Sequence, residues 1–265
     1  SVNAYIDILC HGDATGTIDV SGTGGTNPYT FTLDGGFSQP SGFFSGLLAG
    51  THDLNIIDDN GCSFDTTMTL TEPEPLVLIV DSISNLLCNG DSTGWIDVSG
   101  TGGVIPYEFS IDGLAFDVAD MFNTLAAGTY TLTVRDENGC TNAIDVTVTE
   151  PGVLMLSLLG TTDALCNGQA SGSVSVAAAS GTSPYQYSID GGTNWQASGE
   201  FPGIGAGTYS VITIDANGCT TEVSALVGEP SALTIATTSN PVLCLGDSTG
   251  ILNISGAGGT PDYMY

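Results

Sequence analysis

Lysine is absent from this 265-residue chain and arginine occurs once, at Arg135, against 29 acidic residues, for a net charge of −28. With one cation the chain has nothing to neutralise phosphates, which excludes nucleic acid as a partner, and anionic membrane surfaces fall with it. No apolar run reaches the 18 residues a spanning helix needs; the most apolar stretch, Leu76 to Val80, is strand-sized. No segment sustains a period of 3.6. The 37 glycines show no Gly-X-Y period, so collagen is out. Metal-type Cys-x-x-Cys spacings are missing as well. What remains is 41% apolar residues, enough for a core, set among Thr, Ser and recurrent turn dipeptides.

Internal repetition decides the organisation. Cys-His-Gly-Asp at Cys10, Cys-Asn-Gly-Asp at Cys88, Cys-Asn-Gly-Gln at Cys166 and Cys-Leu-Gly-Asp at Cys244 follow one another every 78 residues. Asn-Gly-Cys recurs at Cys62, Cys140 and Cys219, and Glu-Pro at Glu72-Pro73, Glu150-Pro151 and Glu229-Pro230. Three markers with one period predict repeats at 1–73, 74–151 and 152–230, with a truncated fourth at 231–265. The chain opens inside a strand-like pattern (Ala4 to Leu9) and stops at Tyr265. It therefore reads as an excerpt of something longer, without a leader of its own.

Within a repeat, apolar residues alternate with polar ones at Ile96 and Val98, at Tyr107, Phe109 and Ile111, at Tyr130, Leu132 and Val134, and at Ile144, Val146 and Val148. Each is a strand with one buried face. Asn138-Gly139, like Asn60-Gly61 and Asn217-Gly218, is a hairpin turn. Six or seven short strands in under 80 residues predict an all-β fold of tandem immunoglobulin-like β-sandwiches.

Seven cysteines in two registers suggest one bridge inside each repeat: Cys10 with Cys62, Cys88 with Cys140 and Cys166 with Cys219, leaving Cys244 without its partner. A loop of that size would add about 4 kcal/mol in the chain-entropy model. Free buried thiols are the competing reading. Disulfides imply an oxidising compartment.

The Cys-Asn-Gly-Asp-Ser-Thr-Gly-x-Ile-Asp-Val-Ser-Gly-Thr-Gly-Gly opening of the second repeat, its Ala-Gly-Thr-Tyr-Thr-Leu-Thr-Val-Arg-Asp-Glu-Asn-Gly-Cys middle and its Val-Thr-Val-Thr-Glu-Pro close resemble the SprB repeat. Gln169 and Ser175 depart from it, standing where the second repeat has Asp91 and Asp97. The resemblance implies export by type IX secretion, residence on the cell surface, and adhesion during the gliding of Bacteroidetes. A passive spacer in another secreted protein or surface layer, and a carbohydrate-binding module, are the alternatives.

Other constellations weigh less. Gly90 to Gly94 and Gly246 to Gly250 fit Gly-x-Ser-x-Gly, but they open strands and lack a histidine base, so no enzyme is expected. His11 and His52 have no repeated partner for acid–base work. Asp13, Asp19, Asp34, Asp58, Asp91, Asp97, Asp112 and Asp136 recur in register and could hold Ca²⁺; the same residues also suit Asx-turns. Trp95 and Trp195 could stack on a sugar. The expected partners are neighbouring repeats, other copies in a fibre, and an extracellular surface or polysaccharide.

Overall fold

The computed structural model describes residues 1–265, and every regular element in it is a β-strand. The first repeat contributes β1 (Val2–Ile6), β2 (Gly16–Val20), β3 (Thr30–Leu33), β4 (Phe43–Leu47), β5 (Gly50–Ile57) and β6 (Ser63–Leu70). The second contributes β7 (Val77–Ser84), β8 (Gly94–Thr101), β9 (Glu108–Ser110), β10 (Met121–Leu125), β11 (Gly128–Arg135) and β12 (Thr141–Val148). The third contributes β13 (Met155–Thr162), β14 (Gly172–Ala179), β15 (Gln186–Ser188), β16 (Glu200–Ile204), β17 (Gly207–Ile214) and β18 (Thr220–Val227). A hairpin of β19 (Thr234–Asn240) and β20 (Ile251–Ala257) follows.

In each set of six the first, second and fourth strands form one antiparallel sheet and the third, fifth and sixth the other. That is the immunoglobulin arrangement of strands A-B-E against C-F-G, with strand D omitted. A second hallmark accompanies it. Near the start of the fifth strand, Tyr130 Oη donates to the Ala126 carbonyl at 2.9 Å and Tyr209 Oη to that of Gly205 at 3.0 Å. This is the tyrosine corner, a phenol that ties the strand to the turn before it. In the first repeat His52 takes the tyrosine's place, its Nε2 lying 3.0 Å from the Leu48 carbonyl.

The alternation of residue types explains the two-sheet packing. Along β8 the buried positions are Gly94, Ile96 and Val98, while Trp95 and Asp97 are half-buried. Ile96, Val98, Phe109, Leu132, Val134 and Val148 are sealed from solvent in the second repeat. Ile18, Val20, Phe31, Leu54 and Leu70 form the corresponding core of the first, and Val174, Val176, Tyr187, Val211 and Val227 that of the third. By contacts the chain divides into two compact units, Ser1–Asn85 with Ser92–Thr149, and Leu86–Asp91 with Glu150–Tyr265.

Candidate functional site

The loop between the first and second strands carries the first-register cysteine, and two fixed contacts shape it. Gly12 N donates to Glu72 Oε2, Gly90 N to Glu150 Oε2 and Gly168 N to Glu229 Oε2, each at 2.7 Å. These glycines have φ of 79°, 79° and 74°, a region open to glycine at little cost, and that backbone aims the amide at the carboxylate. The residue before each glycine then grips the proline carbonyl: Asn89 Nδ2 donates to Pro151 O at 3.0 Å and Asn167 Nδ2 to Pro230 O at 3.2 Å. His11 Nδ1 lies 3.0 Å from Pro73 O and 3.3 Å from Glu72 Oε1. The Glu-Pro marker is thus the clamp that holds the Cys-x-Gly loop, a role its sequence signal did not reveal.

The second-register cysteine closes the turn between the fifth and sixth strands. An aspartate at the head of that turn accepts its amides. Asp136 Oδ1 takes Cys140 N and Oδ2 takes Val104 N, both at 2.9 Å; Asp215 takes Asn217 N, Cys219 N and Thr182 N at the same distance. Asp58 does likewise with Thr26, Cys62 and Asn60, and these backbone hydrogen bonds, Thr26 first, hold its carboxyl below the usual range.

These two features sit at opposite ends of one sandwich. The Asn-Gly-Cys turn is bonded to the loop between the second and third strands. The Cys-x-Gly loop is bonded to the residues that follow the sixth strand, with Ile8 N donating to Thr71 O at 3.0 Å. An eight-residue sixth strand lies between them, a span of about 26 Å at 3.3 Å per residue. A disulfide needs Cα atoms within about 7 Å.

The expected pairing of Cys10 with Cys62, Cys88 with Cys140 and Cys166 with Cys219 is therefore wrong. The bonds are Cys10–Cys140 and Cys88–Cys219, each with Cα atoms 5.6 Å apart, at sequence separations of 130 and 131. The first cysteine of a repeat joins the second cysteine of the next repeat, and Cys62, Cys166 and Cys244 are free thiols. Asparagine reinforces each bond. Asn138 Nδ2 donates to the Leu9 carbonyl and Asn217 Nδ2 to that of Leu87, both at 2.9 Å. Cys140 Sγ and Cys219 Sγ lie 3.4 and 3.3 Å from the same two carbonyl oxygens.

The aspartates singled out for calcium do not converge; no three His, Cys, Asp or Glu side chains come together in a metal-holding arrangement. Asp58 and Asp136 are consumed by turn amides. Asp112 accepts Leu114 N at 2.8 Å, Ala115 N at 3.1 Å and Ser110 Oγ at 2.9 Å, which lowers its pKa in that order of cause. Its counterpart Asp190 is lowered to about 2 by Asn194 and Ser188. Asp34 serves His52, whereas Asp13, Asp19, Asp91 and Asp97 make no carboxylate hydrogen bond within the protein. Trp195 packs against Gly192, and Trp95 is half-buried in β8 beside Ser84. The single cation, Arg135, is engaged too, its Nε donating to Glu108 at 3.1 Å and its guanidinium lying 4.1 Å from the Phe116 ring centre.

A family model described as SprB repeat matches residues 6–37, 80–116 and 160–194. The SprB repeat model thus matches the chain three times. Each match covers the clamped Cys-x-Gly loop and the second and third strands, and stops near the following turn, so each folded repeat of this chain is about twice the matched length. SprB repeats are extracellular-type modules, and two disulfides fit a secreted or surface protein. No helix is long and apolar enough to cross a membrane. No curated protein matches the chain. Among solved structures, the three N-terminal domains of the bacteriophage RB49 highly immunogenic outer capsid protein align at 13% identity over 86% of this chain and 98% of that one, with a TM-score of 0.35. Fibronectin(III)-like modules of Clostridium thermocellum CbhA align at 17% identity over 58% and 95%, with a TM-score of 0.27. The eight N-terminal immunoglobulin domains of the Down syndrome cell adhesion molecule align at 14% over 78% and 34%, with a TM-score of 0.32. Scores that low add nothing to the strand order, on which the architecture of these repeats rests.

Proposed function

We propose that this chain is a mechanical, non-catalytic segment of a large repetitive cell-surface adhesin of the gliding type, exported by type IX secretion. The observation that carries the reading is the staggered disulfide: Cys10–Cys140 and Cys88–Cys219 bond successive repeats to one another instead of closing each on itself. A stalk under tension profits from covalent links across its joints. The acidic, lysine-free surface fits an exposed location, since it offers a trypsin-like protease only Arg135. The adhesion target is an external surface or polysaccharide. Deleting the coding region for these repeats in the cell that makes them tests the proposal. Attachment to glass and gliding speed should fall while export of the remaining chain continues; unchanged attachment would leave only a spacer role.

A further inference from the structure

Cys62 and Cys166 stand in the same settings as the bonded cysteines. Cys62 N donates to Asp58 Oδ1 at 2.9 Å, as Cys140 N and Cys219 N do to Asp136 and Asp215. Asn60 Nδ2 donates to Thr26 Oγ1 at 2.8 Å, matching the Asn217 bond to Thr182 at 3.0 Å, while Asn217 gives its second bond to the Leu87 carbonyl. A cleft of about 510 Å³ opens beside the Cys62 thiol, lined by Tyr29, Asp58, Ser63 and Phe64; Phe64 is 65% exposed. Cys166 follows Leu165, as Cys10 follows Leu9 and Cys88 follows Leu87, in a loop clamped by Glu229 just as Glu150 clamps its counterpart. Leu165 is 73% exposed.

We propose that Cys62 and Cys166 are docking half-sites for further SprB repeats. Cys62 with Asn60 takes the Leu-Cys-x-Gly loop of a preceding repeat, and Leu165 with Cys166 takes the Asn-Gly-Cys turn of a following one. The occupant is a repeat because each half-site is already filled twice in this chain by its complement, with the same cysteine bond and the same asparagine-to-carbonyl hydrogen bond. Register forbids the alternatives: two Asn-Gly-Cys turns offer no Leu carbonyl to each other's asparagine. Closure joins two thiols into one disulfide, and their two electrons and two protons pass to a disulfide oxidant such as oxidised glutathione, which leaves as two thiols.

The test lengthens the chain by placing a copy of residues 74–157 ahead of Val2, which continues the repeat in register. After refolding in a glutathione buffer, thiols are alkylated and the protein is cleaved at acidic residues for mass mapping. Cys62 is expected in a bond with the copied Cys88, alongside intact Cys10–Cys140 and Cys88–Cys219. Cys62 found alkylated or glutathionylated while those two bonds are intact overturns the proposal. Should the lengthened chain not fold, Cys140→Ser in the original chain decides. Cys10 and Cys62 should then both remain alkylatable, and a Cys10–Cys62 bond would show that Cys62 takes its own repeat's loop and sink the register rule.

Discussion

His52 faces an acceptor from each ring nitrogen, Asp34 Oδ2 at 2.7 Å from Nδ1 and the Leu48 carbonyl at 3.0 Å from Nε2. Only the doubly protonated ring can donate to both. The Asp34 hydrogen bond leads the causes that raise the His52 pKa above 6.5, burial opposing it. For Asp34 burial pushes upward, but the His52 and Asp53 hydrogen bonds and the imidazolium charge outweigh it and the pKa falls. A raised histidine pKa stabilises the fold below about pH 6.5, and that contribution drains away as pH rises through the higher folded value. The melting temperature of the first repeat should therefore decline above pH 6.5, and His52→Tyr should remove that slope by restoring the tyrosine corner. Thr124 is held in a strained backbone: its φ is 59°, where Gly46 and Gly203 occupy the equivalent bends at 75° and 73°. A β-branched side chain there costs on the order of 1–2 kcal/mol, partly offset by the chain entropy that glycine loses. Thr124→Gly should stabilise the second repeat by about 0.5–1 kcal/mol in denaturant unfolding.

At the scale of elements, the strands with strict alternation were legible from sequence, because Ile96-Asp97-Val98 or Leu132-Thr133-Val134 places one apolar face on the opposite sheet. The fourth strand of each repeat carries no such signal. Phe43–Leu47, Met121–Leu125 and Glu200–Ile204 do not alternate, and each pairs with its neighbour through a register shift at a left-handed residue. Such a bulge breaks the period of two on which the reading depends. Leu132 is fully buried between the sheets, and Leu132→Ala should cost about 2–5 kcal/mol in chemical unfolding. The Glu-Pro clamp acts between elements. Glu150→Gln should leave the sandwich folded yet speed hydrogen exchange at the Gly90 amide, since the acceptor at 2.7 Å loses its charge.

For the whole molecule, the two cysteine registers were plain in the sequence and their connectivity was not. Spacing counts cysteines without saying which ends of a fold they occupy. Cys10 and Cys62 share a repeat but cap opposite ends of its sandwich, a fact that follows only from the direction of the strands. The repeated aspartates carry a similar ambiguity, because the same residue type serves a cation or a turn, and here Asp58, Asp112 and Asp136 accept turn amides. Millimolar calcium is expected to leave the melting temperature unchanged, which differential scanning calorimetry would check.

Because the spans 10–140 and 88–219 overlap, the two bonds interlock like stitches, and a pull need not follow the chain. From Cys10 tension can cross to Cys140, run backward through the 52 residues to Cys88, and cross again to Cys219, bypassing most of the 209 residues between the outer pair. At about 3.4 Å per residue, an oxidised thread stripped of all its sheets would pay out roughly 180 Å over this stretch, against about 700 Å once reduced. Single-molecule stretching with and without a reductant should reveal that difference of about 500 Å as the slack held in reserve by two sulfur pairs.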